Sequence, residues 1–371
     1  LAVDPYYGGS HKAFLEGWTE VSRHQWRILS LPARKWKWRM RHGAVTLADQ
    51  ADCLVSDGNR FDLLFCTDML NLAEFKGLVG ETIRRLPSVV YFHENQLTYP
   101  VRNHDQRDFH FALTNFTTAL AATTVWFNSA FHRDAFLAAI PDLLRKMPDY
   151  RSFDRVEDIR NKAEVRTPGI RRLPPRPDRR DGDPARILWA ARWEYDKNPE
   201  MFFDALRQLS KKKCRFTMNA VGQQFTRVPQ IFEDSRQTLS EHVGRWGYQS
   251  DRSEYEKTLL ESDIVVSTAD HEFFGIAVLE AVAAGAYPLV PRRLAYPEII
   301  SRERFGDSEE FFYDGSAAGL EARLHTLIER HEQDKLWGDH PCRGMEAVRD
   351  YRWENIGPRL DNALEKVAGK P

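Results

Sequence analysis

The stretch DIVVSTADHEFFGIAVLEAVAAGAYPLVP, residues 263–291, decides the fold class. Its flanking runs, DIVVST at 263–268 and AYPLV at 286–290, are short and mostly apolar, as strands covered on both faces are. Between them a helical pattern over 276–284 opens after Gly275 and closes at Gly285. Strand, helix and strand in that order make a unit whose two strands run parallel.

Outward from this unit the alternation continues in both directions. Strand-like runs recur as FDLLFCT (61–67), SVVYFHE (88–94), TTVWFN (123–128), ILWAA (187–191) and FTMNAV (216–221). Helical patterns over 103–122, 131–146, 199–213 and 253–262 separate them, the third opening at Asn198-Pro199. The chain is α/β throughout. RTPGIRRLPPRPDRRDGDPAR, 166–186, is crowded with proline and arginine and has neither period, so it reads as a linker. The predicted division is an N-terminal Rossmann-like domain over 1–170, a linker at 171–186 and a second Rossmann-like domain over 187–350. The segment 351–371 is then a terminal helix able to pack back across the hinge. A length of 371 residues suits two domains.

Composition narrows the classes. A 42% hydrophobic and 29% charged chain is globular, and no run of about 18 apolar residues is present to span a bilayer. The opening LAVDPYYGG lacks the basic-then-apolar build of a signal peptide, so a soluble, cytoplasmic protein is expected. Cys53, Cys66, Cys214 and Cys342 are scattered, the pattern of reduced thiols. With a net charge of −1, a nucleic-acid partner would need a local basic patch.

The 263–291 stretch also carries chemistry. Backbone N–H groups of Phe274, Gly275 and Ile276 at a helix start suit a pyrophosphate. Glu272 and Glu280, about 12 Å apart if the segment is helical throughout, could reach a donor sugar on one side and a ribose on the other. The plainer alternative makes Glu272 a first-turn acid and Glu280 a solvated helix glutamate. In the N-terminal half, Gly8 and Gly9 follow a strand end in DPYYGGSHKAF (4–14) and permit close approach by a substrate, with Ser10 a candidate N-cap. YFHENQLTYP (91–100) ends a strand in His93, Glu94, Asn95 and Gln96, at the carboxyl edge where open parallel sheets place ligands. His93 is the candidate for the group facing the reacting sugar, against the commoner structural role of a strand-end histidine.

A metal site from His93, Glu94, His104 and His110 is not expected, since they lack the helical i, i+4 pairing of zinc ligands. Asp181-Gly182-Asp183 reads as a solvated turn. RKWKWRMRH (34–42) sets Lys35, Lys37, Arg39 and Arg41 around Trp36 and Trp38 with no acid among them, a pattern suited to phosphates and unpaired bases. As a strand it would put those four cations on one face and both tryptophans on the other. A second basic run follows from Arg171 to Arg180.

The E-x7-E pattern of Glu272 and Glu280 resembles the donor motif of retaining, GT-B glycosyltransferases of family 4, over most of 185–345. That resemblance implies two Rossmann-like domains with parallel sheets facing across a cleft. It also implies that Arg192 and Lys197, in ILWAARWEYDKNPEMFFDAL (187–206), neutralise the donor diphosphate. VGQQF (221–225) and RWGYQS (245–250) correspond to its sugar and base loops, which implicates Gln223, Gly247 and Tyr248. VDPYYGGSHKAF, LPARKWKWRMRHGA, YFHENQLTYP, RDFHFALTNFTTALAATTVWFNSAFH and AARWEYDKNPE together resemble the family that includes the tRNA-queuosine α-mannosyltransferases, over nearly the whole chain. The resemblance implies GDP-mannose as donor, queuosine in a tRNA of the tRNA-Asp type as acceptor (Glu94 and Asn95 joining the basic run on that side), and no resident metal or cofactor. It further implies retention of configuration by attack from the face the diphosphate leaves, with double displacement through Glu94 or Glu272 as the alternative. Two other classes stay open: a GT-B transferase or epimerase using another sugar nucleotide, and a non-catalytic RNA-binding protein. No membrane or obligate protein partner is expected.

Overall fold

In the computed structural model, residues 1–100, 108–177, 182–225 and 228–369 are described. His104, part of the helical pattern at 103–122, and the arginines at 179 and 180 lie outside them, as does Asp181. The chain forms two compact units, Leu1–Gly169 with the helix from Trp353, and Ile170–Arg352.

The first unit is built on strands β1 (Ala2–Tyr7), β2 (Ile28–Pro32), β3 (Leu64–Thr67), β4 (Ser88–Phe92), β5 (Thr124–Phe127) and β6 (Ala163–Val165). They pair in parallel in the order β2-β1-β3-β4-β5-β6. β3, β4 and β5 are buried along their whole length because helices cover both faces, which is why they read as unbroken apolar runs. Alternation then sorts their side chains into two cores. Leu64, Val90, Phe92, Val125 and Phe127 pack on one face with Phe136 of the 130–145 helix. Phe65, Val89, Tyr91 and Trp126 pack on the other with Trp18, Trp353 and Ile356. The C-terminal helix Trp353–Val367 therefore completes this unit. Asp361 ties it to the 9–21 helix, accepting from Trp18 Nε1 at 2.9 Å, Ser22 Oγ at 2.7 Å and the Arg23 backbone N–H at 2.9 Å.

The second unit has β7 (Ala185–Ala190), β8 (Phe216–Val221), β9 (Val243–Gly247), β10 (Ile264–Val266), β11 (Tyr287–Pro291) and β12 (Phe312–Tyr313), in the parallel order β12-β11-β10-β7-β8-β9. This is the doubly wound Rossmann order, with its reversal between β7 and β10. The helix Pro199–Lys211 starts where the sequence signals it: Asn198 in the left-handed region accepts from Met201 N at 3.2 Å, and proline sits at the first turn. Its buried stripe is Phe202, Phe203, Leu206 and Leu209.

Two local expectations are corrected. Ser10 does not cap the first helix, which runs Gly9–Val21 from an N-cap at Gly8 with no side-chain cap bond. The basic-aromatic run at 34–42 is not a strand, because Trp36–Ser56 is one helix. Its later residues Met40, Gly43, Ala44, Leu47, Ala48 and Ala51 recur at helical spacing and are buried, and that 3.6-residue stripe sets the conformation of the whole segment. Among the described residues no helix is long and apolar enough to cross a membrane.

Candidate active site

In the second unit the chemistry collects at the β7/β10 reversal, where an open parallel sheet leaves a crevice at its carboxyl ends. β7 leads into Arg192 and a short turn at Tyr195–Lys197. Lys197 is only 5% exposed, and its Nζ donates to the His271 carbonyl at 2.5 Å and lies 3.3 Å from Glu272 Oε2 and 3.4 Å from Asp196 Oδ2. The backbone holds this arrangement from both sides. Asp270 N–H donates to the Asp196 carbonyl at 2.9 Å, and Thr268 Oγ1 donates to the Lys197 carbonyl at 2.8 Å while accepting from Trp189 Nε1 at 3.0 Å. Arg192 Nε stands 3.4 Å from Glu194.

Burial alone would raise the Glu272 carboxyl, but Lys197 and then Arg192 hold it below the ordinary range. Glu272 is thus an anion in a cationic setting. Burial and the Lys197 charge push His271 down to about 4 and keep that ring neutral.

The helix Ile276–Ala283 begins at Gly275, whose φ of 92° favours glycine and where a Cβ would come within 2.9 Å of the Tyr296 ring. Helix geometry leaves the first N–H groups, those of Ile276 and Ala277, without intrahelical acceptors. Both residues are partly exposed, whereas the Phe274 side chain is buried in the core and its N–H turns to Glu272 Oε1 at 3.4 Å. The N–H groups left open at this helix start are therefore those of Ile276 and Ala277, one residue along from the expected set. Only 276–283 is helical, so the separation of about 12 Å expected for a continuous helix between Glu272 and Glu280 does not apply. Glu280 accepts from Arg252 Nη2 and from Tyr255 O–H, each at 3.0 Å, an orientation that leaves further lone pairs for a ligand hydroxyl.

The loops after β8 and β9 meet behind this site. Gln223 accepts from Trp193 N–H through its carbonyl at 2.9 Å, and Gly222 N–H donates to the Gly247 carbonyl at 3.3 Å. A Cβ on Gly222 would fall 1.7 Å from the Ala191 carbonyl oxygen, so only glycine fits. Tyr248 stands 62% exposed just beyond.

In the first unit the polar residues converge at the β1/β3 reversal. Asp4 and His11 are buried and their side chains approach to 3.3 Å. Asp4 Oδ1 also accepts from Thr67 Oγ1 at 3.0 Å and Tyr6 N–H at 2.9 Å. Asp68 accepts the His93 backbone N–H at 2.8 Å, and the His11 and His93 rings lie 4.1 Å apart between centroids. The Nε2 of His93 is buried without a hydrogen-bond partner among the described residues. Glu94 accepts from Gln96 Nε2 at 3.2 Å. Asn95 is fully buried, its carboxamide oxygen accepting from Leu97 and Thr98 N–H at 3.0 and 2.9 Å, so it shapes a turn rather than facing RNA. Gly8 and Gly9 start the adjacent 9–21 helix.

The basic run now lies on a helix start. At about 100° per residue, Lys37 and Arg41 share a side and both sit over the Phe111 ring, at 5.9 and 5.2 Å. Arg39 donates to the Pro32 carbonyl at 3.0 Å, Lys35 occupies the N-cap, and Trp36 packs on Phe111. Trp38 is 57% exposed and stacks on His42 at 4.8 Å. The four cations therefore surround the helix start instead of sharing one face, and the two tryptophans part company.

Sequence reasoning missed Asp4, His11, Asp68, His271, Arg252 and Tyr255. An acid inside an apolar strand, as Asp4 is in AVDPYY, was the available signal, since such residues are seldom buried without a purpose. Among the described residues no group of three or more His, Cys, Asp or Glu is arranged to hold a metal ion.

Two family models cover most of the chain: residues 1–170 match the tRNA-queuosine alpha-mannosyltransferase N-terminal domain and 174–339 match glycosyl transferases group 1. The tRNA-queuosine alpha-mannosyltransferase of Drosophila melanogaster is 38% identical over 314 residues, 82% of each chain. The chain belongs to the tRNA-queuosine alpha-mannosyltransferase family. It is a glycosyltransferase. Its fold is that of the GT-B enzymes, as similar solved structures show. Sucrose-phosphate synthase from Thermosynechococcus elongatus has a TM-score of 0.72 at 14% identity, over 99% of this chain and 98% of that one. Anabaena HepE, solved with UDP and glucose, has a TM-score of 0.62 at 15% identity, over 98% and 91%.

Proposed function

We propose that this enzyme transfers mannose from GDP-mannose to the queuosine base of a tRNA of the tRNA-Asp type, with retention of configuration and without a metal ion. The observation that carries the reading is the buried Lys197, fixed beside Glu272 with Arg192 near the same carboxylate at the sheet reversal, in a chain 38% identical to a tRNA-queuosine alpha-mannosyltransferase. The expected setting is the cytoplasm.

As the anomeric C–O bond breaks, negative charge grows on the departing diphosphate. Lys197, Arg192 and the Ile276 and Ala277 N–H groups are placed in advance to stabilise it, so little reorganisation is needed during reaction. The acceptor hydroxyl forms the new C–O bond from the face that GDP leaves, and a phosphate oxygen of the leaving GDP takes its proton. Glu272 recognises the donor sugar, and Glu280, pre-oriented by Arg252 and Tyr255, recognises the ribose. His93 serves the transferred sugar through its ring nitrogens. The basic helix start at Lys35–Arg41 and the exposed Trp38 serve the RNA by phosphate contact and base stacking.

The test is mass analysis of nucleosides from queuosine-containing tRNA incubated with the protein and GDP-mannose in chelator. A hexose-sized gain on queuosine alone supports the reading. Transfer only from another sugar nucleotide, or only after a divalent ion is restored, rejects the donor or the metal-free part respectively.

A further inference from the structure

The cluster at the β1/β3 reversal holds more ionisable groups than sugar recognition by His93 requires. Asp4 projects from β1, His11 from the 9–21 helix, and Asp68 follows β3. His93 and Glu94 follow β4, and His132 comes from the 130–145 helix. Asp4, His11, Asp68 and His132 are all buried. Such a group would be costly to retain in a core unless each charge were answered by a neighbour.

The geometry shows which answers which. Asp4 is pinned by Thr67 Oγ1 and Tyr6 N–H and faces His11 at 3.3 Å. The His11 ring lies at 32° to that of His93 with centroids 4.1 Å apart, while Tyr91 approaches His93 from β4 at 4.7 Å and Phe14 edges it at 5.2 Å. The backbone of His93 is held at both ends, its N–H by Asp68 and its carbonyl by Asn128 Nδ2 at 3.0 Å. Asn128 in turn bonds His132 Nδ1 through its carboxamide oxygen at 2.8 Å. Position and ring plane are thus fixed while Nε2 is left over.

We propose that His11, anchored on Asp4, is a positioning residue for glycosyl transfer that sets the plane and the hydrogen-bonding role of the His93 ring. The inference rests on the assignment of His93 to the transferred sugar. Burial works against a charge on His11, but the Asp4 carboxylate outweighs it and raises this ring to about 9, so His11 is a cation at neutral pH. Burial, then the His11 charge and then His132, hold His93 well below the ordinary range, so it is neutral. A neutral imidazole can donate from one nitrogen and accept at the other. An imidazolium would only donate, and its charge would oppose the positive charge developing at the sugar's anomeric carbon. Asp68, pushed up to about 7 chiefly by burial, titrates between the two rings and adds its own inflection, so a pH–rate profile alone cannot assign a limb to one group.

Ring-resolved NMR of the full chain with labelled histidine does so. In the unsubstituted protein the His93 ring should be neutral at neutral pH and take up a proton only well below the ordinary histidine range. In His11→Phe, which keeps an aromatic ring but removes the charge, its titration should move up by about one pH unit or more. The acid limb of kcat should move with it while KM for the sugar nucleotide holds. Asp4→Asn, which keeps both rings and loosens the anchor, should shift both readouts in the same direction and carries the test if His11→Phe fails to fold. His93 signals and kcat profiles unchanged in the folded variants would overturn the role of His11, while a turnover loss in His93→Ala would leave the His93 assignment standing. Full turnover in His93→Ala would remove both.

Discussion

The two units share one scaffold and differ in how they make a polar site. In the second, a reversal between β7 and β10 gathers fixed donors: Lys197, Arg192 and a helix start. In the first, a reversal between β1 and β3 gathers Asp4, His11, Asp68 and His93, groups whose charge depends on one another. On the proposed function, the leaving diphosphate needs positive potential, whereas the sugar in reaction needs groups whose donor and acceptor roles are set. The same sheet edge supplies either, depending on which side chains it carries.

The largest effect expected from breaking this contrast is at Lys197. Lys197→Ala removes a buried cation and leaves Asp196 and Glu272 facing each other, so kcat should fall by ~10²–10³-fold, the scale of losing one preorganised electrostatic partner. Steady-state kinetics measures it, with circular dichroism to verify folding. A loss under threefold would take the leaving-group charge away from Lys197. His93→Ala should come next, with a turnover loss of ~10–100-fold and unchanged donor affinity, since it leaves the sugar group it serves without its hydrogen-bonding partner, a cost of ~1–3 kcal/mol. Calorimetry with GDP alongside kinetics separates the two. Weakened GDP binding in this variant would blur the division of labour between the units.

How much of this contrast was readable beforehand follows from sequence distance. The second unit's Arg192, Lys197, Glu272 and Glu280 fall within two short stretches, 187–206 and 263–291, each opening with a recognisable strand, so periodicity and a family motif pointed to them, whereas Arg252 and Tyr255 lie outside both. The first unit's cluster is assembled from positions 4, 11, 68 and 93, which become neighbours only through the order β2-β1-β3-β4, and no local pattern encodes that order. His93 was visible because it ends a strand in a polar run, while its partners each look like an ordinary loop or strand residue. The 36–56 helix was obscured for a different reason. Alternating cations and tryptophans mimic a strand period at its first turns, and the buried stripe that decides for helix starts only at Met40. Lys35 in the left-handed region at the N-cap, like Gly275 at φ 92°, belongs to backbone geometry that tertiary contacts select.

A smaller effect sharpens the donor side. Glu280→Gln keeps the shape but removes the charge that Arg252 and Tyr255 orient, and GDP affinity should weaken ~10-fold, the cost of about 1.4 kcal/mol. Calorimetric titration with GDP and with guanine base alone distinguishes ribose contact from general damage. Equal weakening for both would argue that Glu280 acts on the fold of the site and not on the ribose.

The smallest and most diffuse effect belongs to the basic helix start. A helix N-terminus carries partial positive charge and ordinarily prefers acids in its first turn, yet Trp36–Ser56 has none there and carries Lys35 at its N-cap, Lys37 and Arg39 in that turn and Arg41 in the next. That arrangement costs helix stability locally and concentrates positive potential, which suits a polyanion better than it suits folding. Replacing all four by glutamine relieves that repulsion but gives up the Arg39 bond to the Pro32 carbonyl and the Phe111 contacts of Lys37 and Arg41, so the melting temperature should change little. Affinity for tRNA should fall, and the slope of log K against log salt should flatten by about one unit for each phosphate no longer neutralised. Trp38→Ala, tested separately, should weaken binding without changing that slope, because stacking on an unpaired base releases no counterions. GDP affinity should be the same in every variant. A fourfold-neutral variant that binds tRNA with the original salt slope would place the phosphate-binding cations elsewhere, with the described arginines at 171, 172 and 176 the next positions to neutralise.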